Sequence, residues 1–169
     1  MMQKFIYCPL CATKLEESHI EDRQRQYCPN CHYVHYINPI PATAVIGERD
    51  GKILLIKRGM EPGKGLWTLP SGFMEASETP EEGCLRELQE ETGMHGEITS
   101  LIGVFHEYSK MYGDILNIFY HVNLDEGIPI GGDDADDAEL VPIEKIENLG
   151  FRCFNLAFAK FNEARNKNK

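Results

Sequence analysis

Three glutamates, Glu87, Glu90 and Glu91, stand within one helical turn of each other in a segment that reads as helix. Like charges three and four residues apart destabilise a helix by roughly 0.2–0.5 kcal/mol per pair. A chain that carries such a cluster has a use for it, and hard carboxylate oxygens suit a divalent cation such as Mg²⁺ or Mn²⁺. A second set of chemical groups is built on sulfur. Cys8-Pro-Leu-Cys11 and Cys28-Pro-Asn-Cys31 are two C-x-x-C knuckles separated by 16 residues. That spacing reads as a zinc site. Four thiolates close a tetrahedral Zn²⁺ shell with no open position, so this metal would be structural. Two disulfides are the rival reading, disfavoured because nothing in the chain suggests export. His19, His32 and His35 lie nearby and are read as non-ligands, since four cysteines suffice.

The glutamates need a helix to position them. Thr79 is a good N-cap, Pro80 suits the first helical position, and Glu82 completes a capping box with Thr79. Gly93 is a natural stop. These signals predict a helix from about Pro80 to Thr92, with Cys84, Leu85 and Leu88 facing a core. The three glutamates would project from a neighbouring face with their carboxylates converging, and Arg86 would reach Glu90 at i, i+4. Gly83 in mid-helix costs about 0.8–1 kcal/mol against Ala, which predicts close approach of another backbone. Gly63, Gly65 and Gly72, with Pro62 and Pro70, form a loop leading to the helix. A solvated acidic face is the plainer account of the glutamates, but it leaves that glycine loop unexplained.

Further along, Ala42–Gly47 and Lys52–Arg58 are β-rich runs around the turn signal Glu48-Arg-Asp-Gly51. Ile98–Tyr108 and Ile115–Leu124 read as long strands, Trp67–Leu69 and Leu140–Ile143 as short ones. Residues 144–149 are read as the start of a short helix and Phe154–Ala164 as a longer one. Strands and flanking helices together predict an α/β fold with a mixed sheet. Cys84 and Cys153 are expected as buried thiols. The segment 131–139 is acidic; its aspartates are read as a solvated loop.

The chain has 169 residues, enough for one domain and a small appendage. We place the boundary between residues 37 and 38, giving 1–37 as a Cys₄ zinc ribbon and 38–169 as the main domain. Asn38-Pro39-Ile-Pro41 stiffens the join. The formal net charge of −10 argues against nucleic acid and anionic membrane as partners. Residues 1–41 balance Lys4, Lys14, Arg23 and Arg25 against Glu16, Glu17, Glu21 and Asp22, so no basic stripe exists there either. With no apolar leader or membrane-length run, a cytoplasmic location is expected. A homodimer is an open expectation, with the ribbon as one possible contact.

Residues 72–94 read Gly, five residues, Glu, seven residues, then Arg-Glu-apolar-x-Glu-Glu-x-Gly-apolar. Gly72, Glu78, Arg86, Glu87, Leu88, Glu90, Glu91, Gly93 and Met94 occupy the fixed positions. This resembles the Nudix box, and the resemblance extends over about residues 40–165. It implies a Nudix hydrolase: an α/β/α sandwich that cleaves a nucleoside diphosphate linked to another moiety, with Mg²⁺ or Mn²⁺. On that resemblance Glu87, Glu90, Glu91 and the Gly72 carbonyl would hold metal. Glu90, Glu91 and Glu139 are the candidates for the catalytic base. Glu78, Arg86 and Gly93 would be structural. Trp67, Phe105, Tyr108 and Phe151 could stack a base or flavin, and Arg58 could meet a phosphate. A zinc ribbon ahead of the box is similar to NADH, FAD and ADP-ribose pyrophosphatases. The Ser-Gln-Pro-Trp-Pro-Phe-Pro-x-Ser signature of the NADH branch is absent, which favours FAD or ADP-ribose. A nucleoside triphosphate or dinucleoside polyphosphate hydrolase, and a non-catalytic nucleotide sensor, are the alternatives.

Overall fold

The computed structural model describes residues 5–167. The chain divides after Pro39 into two compact units. No helix among the described residues is long and apolar enough to cross a membrane.

The first unit is a small three-stranded sheet of β1 (Glu16–Ile20), β2 (Arg23–Tyr27) and β3 (Val34–His35), all antiparallel in the order β1-β2-β3. The two cysteine knuckles repeat one local geometry. Ala12 N–H donates to Cys8 O and His32 N–H to Cys28 O, at 2.9 and 3.0 Å. Ala12 and His32 both take left-handed φ, 57° and 61°. Each knuckle turns one backbone N–H onto sulfur: Leu10 N to Cys8 Sγ at 3.4 Å and Cys31 N to Cys28 Sγ at 3.5 Å.

The second unit is a mixed sheet in the order β10-β5-β4-β9-β8. Its strands are β4 (Ile40–Arg49), β5 (Lys52–Arg58), β8 (Gly96–Ser109), β9 (Gly113–Leu124) and β10 (Ala135–Pro142). The short strands β6 (Trp67–Thr68) and β7 (Ser71–Phe73) attach to β5 and β4. Only β4 and β9 run parallel. Helix α1 (Pro80–Thr92) covers one face and α2 (Arg152–Lys167) the other. Alternation along β4 supplies both layers: Ala44 and Ile46 pack with Phe119, Phe154 and Phe158 on the α2 side, while Val45 packs with Cys84, Leu88 and Tyr120 on the α1 side. This is the α/β/α sandwich with a mixed sheet that the sequence predicts. The C-terminal helix is longer than expected by two residues at its start and three at its end. Only a 3-10 turn, Ile143–Lys145, forms where a short helix was expected.

One detail of the sheet makes room for a site. Strands β4 and β5 form a hairpin whose turn residues Asp50 and Gly51 have φ of 51° and 71°, the positive values a type I′ turn requires. The two strands pair only beside that turn, at Glu48–Ile53 and Arg49–Lys52. They then part. β6 pairs with β5 at Ile56 and Lys57, and β7 pairs with β4 from Ala42 to Ala44. The segment carrying Ser71 and Gly72 therefore enters the fork and lies against α1.

Candidate active site

Helix α1 starts and stops as its sequence dictates. Thr79 Oγ1 accepts from Glu82 N, Glu82 Oε2 accepts from Thr79 N, and Gly93 closes the helix at φ 65°. The buried residues of the helix are Gly83, Cys84, Glu87, Leu88, Glu91 and Thr92. Leu85, expected in the core stripe, is exposed. Two glutamates are buried while a leucine is exposed because the fork places β7, not solvent, against the glutamate face. Gly83 does meet a close neighbour, though a side chain instead of backbone: a Cβ there would lie 2.7 Å from Glu78 Oε1. At Gly72 a Cβ would lie within 2.4 Å of both Glu87 carboxylate oxygens, so only glycine lets the β7 backbone reach this carboxylate.

Arg86 organises the cluster. Its Nη2 and Nε donate to the two oxygens of Glu78 at 2.9 and 3.0 Å, and Nη2 also to Phe73 O at 3.1 Å. Its Nη1 donates to Glu87 Oε1 at 2.7 Å and Glu90 Oε2 at 2.9 Å. The Arg86 hydrogen bonds hold the Glu78 carboxyl down to about 2. The three glutamates do not converge on one point as the helical spacing suggests. Among the described residues, only the four cysteines bring three or more candidate ligand atoms within 4.8 Å of one another. Glu87 and Glu90 share the Nη1 of Arg86, and Glu91 accepts from Ser71 N at 2.8 Å.

Burial is the largest influence on Glu91. It pushes the carboxyl up to about 8, against the Ser71 N–H, with the Glu87 charge adding to the rise. Burial raises Glu87 too, opposed by Arg86. A carboxyl whose folded-state pKa lies above its ordinary 4.5 stabilises the fold fully below 4.5 and loses that contribution as pH rises through about 8. With a chelator present, Glu91→Gln should melt close to wild type near pH 5 and above it near pH 8. Differential scanning calorimetry of both proteins across that range checks this, and a pH-independent difference would contradict it.

These groups line a cleft of about 710 Å³, large enough for a nucleotide derivative. Glu87, Glu90, Glu91 and Gly72 form one side. The β8–β9 hairpin contributes Tyr108, Met111 and Tyr112 to the lining, and Phe151 joins them. Arg58 also lines the cleft; its Nε donates to Pro62 O at 2.8 Å and its guanidinium lies 5.5 Å from the centre of the Phe151 ring.

Three residues proposed from the sequence lie elsewhere. Glu139 is exposed on the edge strand β10, across from Leu55, and does not line the cleft. The physical reason is that β10 begins at Ala135, so Glu139 is well inside the strand instead of in the loop before it. That loop is tied to the end of α1: Ile130 N–H donates to Thr92 O and Gly132 N–H to Glu91 O, both at 3.0 Å. It thereby delivers Asp133 and Asp134 to the cleft, where their charges raise Glu87 and Glu91. Trp67 and Phe105 pack against the α2-side core, Phe105 edge-on to Phe119 at 5.5 Å, and neither lines the cleft. The sequence reading passed over Glu107 and Asn117, which do line it. A polar Asn in the apolar run 115–124 was the available signal.

In the first unit, Cys8, Cys11, Cys28 and Cys31 are free thiols with Sγ atoms gathered within 4.8 Å, several pairs at 3.5 Å. Sulfurs held about 2.3 Å from a tetrahedral centre stand about 3.8 Å apart, so this donor set fits Zn²⁺. Cys84 and Cys153 are buried apart from them.

A capped helix thus carries a half-buried carboxylate cluster against a glycine strand in a forked sheet. Residues 38–158 match the family described as NUDIX domain, and the chain belongs to the Nudix hydrolase family. It is 39% identical over 120 residues to the ADP-ribose pyrophosphatase of Methanocaldococcus jannaschii, covering 70% of this chain and 71% of that protein. It is 33% identical over 94 residues to the NAD-capped RNA hydrolase NudC of Vibrio atlanticus, spanning 56% of this chain but 34% of that one. The crystal structure of a NUDIX hydrolase from Nitrosomonas europaea superposes with a TM-score of 0.83 at 30% identity, covering 96% of this chain and 93% of that one. The protein is an enzyme that hydrolyses a pyrophosphate bond.

Proposed function

We propose that the substrate is ADP-ribose, cut at its pyrophosphate bridge to AMP and ribose 5-phosphate. The observation that carries this reading is the similarity, over most of both chains, to the Methanocaldococcus ADP-ribose pyrophosphatase. The donor set fits Mg²⁺ or Mn²⁺: hard oxygens from Glu87, Glu90, Glu91 and the Gly72 carbonyl, with two of the carboxylates buried and lacking a full counter-charge. When bound, such ions neutralise the pyrophosphate oxygens and lower the pKa of a coordinated water. Burial disfavours the charged forms of Glu87 and Glu91, and a bound cation would restore them. Glu90 is exposed to the cleft and is the residue we assign as proton acceptor, with Glu91 the alternative. Arg86 orients Glu90 through Nη1, and Glu78 fixes Arg86. Arg58, pinned through Nε, presents the rest of its guanidinium to a phosphate. In the first unit the four cysteines hold Zn²⁺, with a structural role.

A second reading, cleavage of an NAD-type pyrophosphate, is favoured by the relatives named NAD-capped RNA hydrolase. A panel of ADP-ribose, FAD, NADH, diadenosine polyphosphates and nucleoside triphosphates, each with Mg²⁺ and with Mn²⁺, decides between them. ADP-ribose is expected to give the highest kcat/KM. A higher value for NADH would favour the second reading. No hydrolysis across the panel with nucleotide binding retained would make the protein a sensor.

A further inference from the structure

We propose that Glu107 and Asn117 form the base-recognition end of the cleft and take the amino edge of an adenine ring. The proposal rests on the adenine nucleotide substrate inferred above and adds the residues that select its base.

In the antiparallel β8–β9 pair, Glu107 lies across from Ile115 and Phe105 across from Asn117. Directly opposed residues, and residues two apart on one strand, share a face. Glu107 and Asn117 therefore sit together on the α2 side of the sheet, and both line the cleft. Glu107 is anchored from behind: its Oε2 accepts from Cys153 N, in the first turn of α2, at 2.8 Å. The Cys153 thiol also lies against this carboxylate, which faces the cleft on its remaining side. Asn117 is 6% exposed, and its carboxamide has no hydrogen-bond partner among the described residues. Its amide atoms are not among those shut away from solvent without a partner; they open onto the cleft. A ligand that enters the cleft supplies the missing partner.

The surroundings select the kind of ligand. Ile115, Phe151, Phe154 and Ala42 give this end of the cleft apolar walls. Apolar walls with two polar groups suit a flat heteroaromatic ring that is polar only at its rim. A ribose would press hydroxyls against Ile115 and Phe154 without partners. An ionised Glu107 can only accept, so it requires an N–H on the ring, which the exocyclic amino group of adenine provides. The Asn117 amide then donates to a ring nitrogen.

The test compares AMP with purine riboside 5′-monophosphate, the same nucleotide without the amino group, by equilibrium calorimetry in the presence of Mg²⁺. Wild type is expected to bind AMP roughly ten- to a hundredfold more tightly. Glu107→Gln retains an acceptor for the Cys153 N–H and should narrow the gap several-fold. Glu107→Ala should close it. Asn117→Ala should weaken both nucleotides alike, because both keep the ring nitrogens. Equal binding by wild type, or a gap unchanged in both Glu107 variants, overturns the proposal. A wild-type gap with ADP-ribose left uncut overturns the substrate and keeps the subsite. Equal binding with rapid ADP-ribose turnover overturns the subsite and keeps the substrate. No AMP binding at millimolar concentration overturns both.

Discussion

Glu90→Gln is expected to lower kcat on ADP-ribose by about a hundredfold or more while leaving the melting temperature within a degree or two of wild type. The two halves of that expectation have separate causes. Glu90 is exposed and, among the described residues, its side chain bonds Arg86 alone, so an amide of the same shape removes little that holds the fold together. The same amide can neither take a proton from water nor balance a divalent cation. Product analysis for AMP and ribose 5-phosphate measures the first half, and a thermal melt the second. Near-normal turnover with an unchanged melt would remove Glu90 from the catalytic assignment and leave Glu91. Glu91→Gln differs in kind: its burial makes it the variant whose stability depends on pH.

The second large effect concerns the first unit. Among the described residues its apolar core is no more than Cys8, Leu15 and Cys28, with Cys11 and Tyr33 packed beside them. A core that small cannot offset the ordering of about 35 residues at roughly 1–2 kcal/mol each. Structural zinc contributes an apparent 10–16 kcal/mol in isolated finger peptides at neutral pH. Elemental analysis should find one zinc per chain. Replacing the fully buried Cys28 by Ser should release it and unfold residues 5–39, visible as collapse of their dispersed amide resonances, while the second unit keeps its own melting transition. Two disulfides and no zinc would restore the rival pairing.

How far these features were legible in the sequence depends on the range of the forces that set them. Helix α1 was readable to the residue because Thr79, Pro80, Glu82 and Gly93 act over one turn. The cysteine cluster was readable for the same reason. The parallel pairing of β4 with β9 joins segments about 75 residues apart and leaves no local mark. The fork was equally hidden, and with it the burial of Glu87 and Glu91 in place of Leu85. Glu139 was misplaced through a single boundary: the acidic run Asp133–Glu139 reads as loop, yet the strand starts inside it at Ala135. Exposed aspartates on the edge strand are compatible with pairing to β5 because only one side of that strand needs a partner. Trp67 and Phe105 followed the commoner fate of large aromatics, which is core.

The fork has a consequence for descent. Carboxylates and Gly72 are mounted on α1 and β7, while Glu107, Asn117, Tyr108 and Met111 are mounted on the β8–β9 hairpin. The two sets are separate stretches of chain, with no residue common to both. Drift in the hairpin can therefore exchange one recognised group for another while the bond-cutting apparatus is inherited intact. The reverse does not hold: Gly72 and Arg86 are each committed to several neighbours at once, so lineages sharing this architecture should differ most along the hairpin and least where β7 meets α1.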